Sequence, residues 1–337
     1  MVRLMATIVG NNVSLVSALL PINRLGFKPA PKPKSPILAS RASSVAILQA
    51  QPDHVSGETK STILACPICY ERVTWNGNRD LSMDSISGSS LQCKSCNKLY
   101  CGDYKDSHID LTIDNVSGEP LPASIELFRF PWMSFLYERG WRQCFALVGF
   151  PGPEKEFEMI KDYLKPVLGG NIIDASCGSG MFSRLFAKSG LFSLVVALDF
   201  SETMLRQCYD FIKQDESFPQ ENFIMVRADI SRLPFGSSSV AAVHAGAALH
   251  CWPSPSAAVA EISRVLRPGG LFVATTCVFD DAPQYIEPLR QNIARISGMN
   301  FYLSEKELED LCASCGLVDF KCTRNRNFVM ISAKKPV

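Results

Sequence analysis

The sequence predicts an α/β fold built on an open, mostly parallel sheet, and three observations carry that prediction. From Asn171 onward, short apolar runs alternate with amphipathic stretches, the pattern of strands joined by helical crossovers. A glycine-bearing loop, Asp174-Ala175-Ser176-Cys177-Gly178-Ser179-Gly180, follows the first run, where sheets of this kind bind ligands. The composition, 47% hydrophobic and 20% charged over 337 residues, is enough to fill a sizeable core.

Strands are expected near Asn171–Ala175, Leu194–Asp199, Phe223–Arg227, Val240–Ala245 and Leu271–Thr276, with helices between them. The turn Gly149-Phe150-Pro151-Gly152-Pro153 precedes a helix from Glu154 to Val167. A later helix, Glu305 to Cys315, opens on Ser304 with Glu307 three residues on, a capping box. Two last strands, near Val318–Cys322 and Asn327–Ser332, bring the count to seven, the last antiparallel.

Two ligand classes compete for the glycine loop. A dinucleotide site needs a third glycine, and Ser183 stands in its place. Asp174 would repel a pyrophosphate but tolerates a ligand carrying an ammonium and a sulfonium. The loop therefore favours S-adenosylmethionine, with Gly178 and Gly180 admitting the ligand to the backbone. Asp199, 21 residues after Gly178, ends the second strand and is placed to accept both ribose hydroxyls. Phe200 and Met204 are expected against the adenine, and Asp229 with Ile230 at the end of the third strand, Asp229 accepting from the adenine amino group. Ala175, Ser176, Cys177 and Ala245 complete the expected cofactor set.

Methyl transfer from a sulfonium is an in-line displacement by an already activated donor, so positioning and desolvation supply most of the rate. A base is needed only where the acceptor must lose a proton. His244 and His250 flank Ala245-Gly246-Ala247-Ala248-Leu249 and are the candidate bases; a helix-starting or pocket-lining role is the alternative. Trp252 lines the acceptor pocket or caps a core. Cys312-Ala313-Ser314-Cys315 reads as core or surface thiols on an amphipathic helix.

Ahead of this domain (165–337) lie three other segments. Residues 1–52 hold six basic and no acidic residues with a Pro-rich run, the composition of an organelle transit peptide with a lean towards the plastid and cleavage near Ser40 to Ala50. Without them 28 basic face 33 acidic residues, a net charge of −5 against +1 for the whole chain, which disfavours a nucleic-acid partner. No apolar run is long enough to span a bilayer. Residues 60–118 carry Cys66-Pro67-Ile68-Cys69 and Cys93-Lys94-Ser95-Cys96, paired C-x-x-C turns separated by 23 residues, the spacing of a closed structural zinc site. A redox dithiol or metal-free thiols are the alternatives, and Cys101 and His108 are bystanders. Residues 119–164 form a helical bridge or lid in which Tyr137, Trp141 and Arg142 either wall the substrate pocket or pack between domains.

The successive motifs Asp174-x-x-x-Gly178-x-Gly180, Ala197-Leu198-Asp199-Phe200-Ser201, Ala228-Asp229-Ile230, Leu233-Pro234-Phe235 and Val265-Leu266-Arg267-Pro268-Gly269-Gly270 resemble the methyltransferase type 11, or UbiE-like, family. The resemblance implies a Rossmann-like, seven-stranded class I methyltransferase sheet using S-adenosylmethionine. One departure is the fourth strand, Val240-Ala241-Ala242-Val243, which lacks the family's usual aspartate at its start and so loses that strand capping. The cysteine segment resembles Trm112-like zinc ribbons. The whole chain is similar to plant chloroplast methyltransferases found with plastoglobules, which implies a small or lipid-like acceptor such as a prenyl quinone and peripheral association with plastid lipid bodies. An rRNA or tRNA base methyltransferase and a catalytically silent scaffold are the competing readings.

Overall fold

A computed structural model describes residues 63–76, 90–101, 108–113, 145–278 and 304–337. Residues 1–52, expected to be a transit peptide, and Tyr137, Trp141 and Arg142 lie outside the described residues. Four short strands come first: β1 (Val73–Trp75), β2 (Ser90–Cys93), β3 (Leu99–Cys101) and β4 (Ile109–Asp110). The main domain follows as α1 (Pro153–Leu164), β5 (Asn171–Ala175), α2 (Met181–Ser189), β6 (Leu194–Asp199), α3 (Glu202–Lys213), β7 (Phe223–Arg227) and β8 (Val240–Ala245). It continues as α4 (Pro255–Val265), β9 (Leu266–Cys277), α5 (Glu305–Ser314), β10 (Val318–Asn325) and β11 (Phe328–Lys334).

The four strands β5 to β8 begin and end where the apolar runs do. They pair in parallel, and β11 runs antiparallel between β9 and β10, as expected. Two differences stand out. Strand β9 begins at Leu266, so Arg267-Pro268-Gly269-Gly270 belongs to an irregular strand start rather than to a turn. Among the described residues the sheet also has eight strands, in the order β10-β11-β9-β8-β5-β6-β7-β4. The eighth is β4, a two-residue strand from the cysteine segment that adds in parallel to the edge of β7. Two residues carry too little periodicity to be read as a strand from sequence.

The missing aspartate at the start of β8 has a substitute. Asn171, the first residue of β5, accepts from Ala241 N at 2.7 Å and donates to the Ser239 carbonyl at 3.0 Å. One carboxamide thus pins the entry of β8 to its neighbour, so the strand start is held without the family's carboxylate.

Side chains alternate across the sheet into two cores. On one face Ile172, Val195, Ala197, Phe223 and Met225 pack against Phe157, Ile160, Phe186, Leu205 and Ile212 of α1, α2 and α3. On the other, Ile173, Val196, Leu198, Ile224 and Val226 share a core with Val259 and Ile262 of α4 and with Leu64, Leu91, Tyr100 and Leu111 of the cysteine segment. The connection from β7 to β8 contains no helix, and the cysteine segment shares the core of that face instead. Leu64, Leu91 and Leu111 are each at most 1% exposed, and burying a leucine contributes about 1.5–3 kcal/mol. No helix among the described residues is long and apolar enough to cross a membrane.

Candidate active site

The ends of β5, β6 and β7 place the expected cofactor residues together. Gly178 and Gly180 have φ of 58° and 77°, and a Cβ at Gly180 would overlap Cys208 Sγ, so both the turn and the packing of α2 on α3 require glycine. Asp199 closes the loop from the next strand: Gly178 N donates to its Oδ2 and Ser201 N to its Oδ1, both at 2.8 Å. These bonds fix the carboxylate plane and leave its remaining lone pairs for a diol. Burial, opposed by those backbone bonds, raises Asp199 to about 6. Cys177 donates its amide to Leu198 O at 2.9 Å. Its thiol is pushed well above the ordinary range, by burial first and then by the Asp199 charge.

Asp174 departs from expectation. It is 1% exposed and accepts from Ser183 Oγ at 2.5 Å, with His244 Nδ1 2.7 Å from its other oxygen. Its role is to tie the loop strand to α2 and to β8. Ser183, whose presence argued against a dinucleotide, is the hydroxyl this buried carboxylate needs. His244 is corrected with it: fully buried, with the Phe182 and Phe186 rings edge-on at 4.9 and 5.2 Å, the imidazole is walled off from an acceptor and is not a base.

Of the two readings of Trp252, the structure has the core one: it is 3% exposed and packed in the core, and its Nε1 donates to Ser176 Oγ at 2.9 Å. Ser176 has φ of 57°, a left-handed conformation that costs a non-glycine residue of order 1 kcal/mol. The indole bond holds that conformation in place.

His250 fits its candidacy better. It sits in the short 3-10 turn Leu249–Cys251, half-buried, with Nδ1 3.1 Å from Thr276 Oγ1. Burial lowers it to about 4, so the ring is neutral at physiological pH with a lone pair free to take a proton, but it is a weaker base than an ordinary histidine.

Asp229, expected to meet the adenine, is exposed, its Oδ1 accepting from Ser231 N at 2.8 Å and Ser231 Oγ at 2.7 Å. Ile230 and Ala245 are buried in one core, and Ala175 is fully buried in it at the end of β5. Met204 is buried in α3, where Ser201 caps its amide. Phe200 is half-buried, and its carbonyl accepts from Arg227 Nε at 3.1 Å. Arg227 in turn pairs with Asp110 of β4 at 2.7 Å. Sequence reasoning missed Arg227, Asp110 and Thr276, because each acts through a partner distant in the chain.

The four thiols of Cys66, Cys69, Cys93 and Cys96 converge, all Sγ atoms lying within 4.8 Å of one another. The closest pairs, Cys66–Cys96 at 3.5 Å and Cys69–Cys93 at 3.4 Å, are far too long for disulfides. They approach the ~3.8 Å edge of a tetrahedron with 2.3 Å zinc–sulfur bonds. Tyr100 Oη lies 3.0 Å from Cys66 Sγ and Ile68 N donates to it at 3.4 Å, the outer hydrogen bonds a thiolate ligand needs. Among the described residues this group contains those four cysteines and not His108; the Cys312 and Cys315 thiols sit apart, Cys312 buried in the core.

Residues 173–274 match the family model described as a methyltransferase domain. The chloroplastic methyltransferase At1g78140 of Arabidopsis thaliana is 60% identical over 292 residues, covering 84% of this chain and 81% of that one. The chain belongs to this methyltransferase family. A second Arabidopsis thaliana member, the chloroplastic methyltransferase At2g41040, is 50% identical, covering 82% of this chain and 79% of that one. A demethylmenaquinone methyltransferase of Staphylococcus aureus is 32% identical over 125 residues, covering 35% of this chain and 50% of that one. Among solved structures, a methyltransferase of Methanosarcina mazei superposes with TM-score 0.42 at 21% identity, covering 53% of this chain and 97% of that one. This methyltransferase depends on S-adenosylmethionine, and the glycine turn with its clamped Asp199 is a cradle that fits it.

Proposed function

We propose that this methyltransferase works in the plastid and transfers the methyl group of S-adenosylmethionine to a small or lipid-like acceptor, a prenyl quinone or other isoprenoid. The observation that carries the reading is the uncharged character of the acceptor side. From Leu233 to Ala260 the chain has no Asp, Glu, Lys or Arg, and this stretch supplies the loop after β8 that Trp252 fastens to the cofactor turn. A phosphate-bearing acceptor would need cations there; an apolar ring with one ionisable hydroxyl needs an apolar wall and a single base, here His250. The similarity to a demethylmenaquinone methyltransferase supports the same class.

When bound, the cofactor supplies an electrophilic methyl on sulfur. Asp199, Asp229 and Phe200 would hold its adenosyl half and the turn Ser176 to Gly180 its amino-acid half. Cys66, Cys69, Cys93 and Cys96 would hold a structural zinc; four thiolates close the shell, so the metal takes no part in the chemistry. A Trm112-like ribbon and peripheral contact with plastid lipid bodies are consistent with a non-catalytic segment fused to the sheet edge.

The test is methyl transfer from labelled donor to a panel of prenylated hydroquinones and to plastid ribosomal RNA. Labelling of a hydroquinone is the expected result. Labelling of RNA with none of the hydroquinones would reverse the assignment.

A further inference from the structure

Arg232 reaches from the adenine-side loop into the cysteine segment. Its Nε donates to the Pro67 carbonyl and its Nη2 to the Ile68 carbonyl at 2.6 Å. Both carbonyls lie inside the Cys66–Cys69 turn, so their direction is set by where the two thiols converge. The Arg232 backbone is anchored within the same loop, its N–H donating to the Asp229 carbonyl at 3.0 Å. The backbone on either side is tied down as well: Ala65 N donates to Pro234 O at 2.8 Å and Gly236 N to Ile63 O at 3.0 Å.

Tyr70, immediately after the second cysteine of the turn, has φ of 62°. A bulky side chain in this left-handed conformation is strained relative to glycine. Asn97, at the equivalent place after Cys96, has φ of 58° and is a residue that tolerates it. The Tyr70 ring explains the exception. It lies between two guanidinium groups, Arg232 at 5.0 Å and Arg264 at 4.1 Å from its centroid. Arg264 donates to the Leu233 and Phe235 carbonyls at 2.8 Å, and Glu261, paired with it at 2.7 Å, accepts from Leu233 N at 2.8 Å. The strained tyrosine therefore stacks on the same arginines that hold residues 232–235.

We propose that Tyr70 and Arg232 are positioning residues through which the filled four-cysteine site braces the adenine-binding wall, so that a divalent metal held there tightens S-adenosylmethionine binding. Without convergent thiols the Pro67 and Ile68 carbonyls lose their fixed direction, Arg232 loses two acceptors, and the loop carrying Asp229 gains freedom that ligand binding must remove. Linkage makes the effect reciprocal: bound cofactor tightens the metal by the same factor. The inference rests on the reading of Asp229 and Phe200 as adenine contacts.

Two variants of the full chain separate brace from metal site. Tyr70→Gly relieves the backbone strain and removes the stack while leaving all four ligands; Arg232→Ala removes the hydrogen bonds. Each is expected to keep one zinc per chain by metal analysis while its calorimetric Kd for S-adenosylmethionine rises about tenfold. KM for the donor should rise with kcat unchanged, a split that general destabilisation does not produce. Arg232→Lys should recover part of the affinity. Stripping the metal with a chelator should weaken cofactor binding similarly, and Zn2+ added back should restore it. Unchanged Kd in both variants would overturn the brace. Asp199→Ala serves as the reference: if it too binds the cofactor normally, the cofactor reading itself fails, whereas if it alone loses binding, only the brace does.

Discussion

Asp174 and His244 face each other across adjacent parallel strands, register-paired, with Oδ1 and Nδ1 2.7 Å apart and neither side chain more than 2% exposed. This pair joins the strand that carries the cofactor turn to the strand that leads into the acceptor loop. It adds a buried side-chain contact to the backbone pairing of β5 with β8 and to the Trp252–Ser176 bond.

Removing one member leaves a buried polar atom without that partner, which costs about 1–3 kcal/mol. Asp174→Ala also strips Ser183 of its acceptor. Chemical denaturation should show a loss of about 3 kcal/mol for Asp174→Ala, with a coupling to His244→Ala above about 1 kcal/mol in a double-mutant cycle. Additive effects would mean that the two side chains act separately.

The Trp252–Ser176 bond predicts a smaller and more local effect. Trp252→Phe keeps the packed ring and deletes the donor, a loss of about 1 kcal/mol. Because the bond holds a strained cofactor turn, that loss should appear as a roughly fivefold rise in the donor's Kd, read by calorimetry. A Kd equal to the parent's would show that the turn holds its conformation unaided.

Asp199 gives two pH dependences of opposite sign. Burial lifts its folded value from 3.8 to about 6, so between those values the folded chain holds a proton that the unfolded chain has released. For the ligand-free protein this contribution to stability is fully present below pH 3.8 and is lost as pH rises through about 6. Cofactor binding runs the other way, since accepting two ribose hydroxyls requires the ionised carboxylate. Affinity should therefore fall as pH drops below 6, by up to about tenfold per unit. Titration calorimetry between pH 5 and 8 on the parent and on Asp199→Asn checks this (about the range in which the group titrates). A pH-independent Kd in the parent would remove Asp199 from the ribose.

Much of this site was legible because its parts are local. The glycine turn, Asp199 at a strand end and the paired C-x-x-C turns are each short stretches whose chemistry follows from spacing. The misreadings share one cause. Asp174 and His244 carry polar atoms in the right place along the chain, but burial turns those atoms on one another, and burial is a property of the packed sheet. Arg232 escaped because it falls between two recognisable motifs, Ala228-Asp229-Ile230 and Leu233-Pro234-Phe235, and its partners lie 164 and 165 positions away. Strand β4 escaped for a related reason: its identity as a strand comes from the neighbour β7, not from its own two residues.

His250 carries the last prediction. If proton removal from the acceptor passes through this ring, His250→Gln should lower kcat by about 100-fold or more and leave the donor's Kd unchanged. Its value near 4 fixes the sign of the pH profile. A base of that value is fully deprotonated above pH 5, so the rate should show no limb near 6.5, the ordinary histidine value, beyond what Asp199 imposes on cofactor affinity. Under saturating donor the profile from pH 6 to 8 should follow only the acceptor's own ionisation, because neither the ring nor the bound Asp199 titrates there (about two units above the ring's value). Thr276→Val, which removes the hydroxyl 3.1 Å from Nδ1, should lower kcat less than His250→Gln does. A His250→Gln enzyme with full kcat would assign the imidazole to lining the pocket and leave proton removal to solvent or to the acceptor.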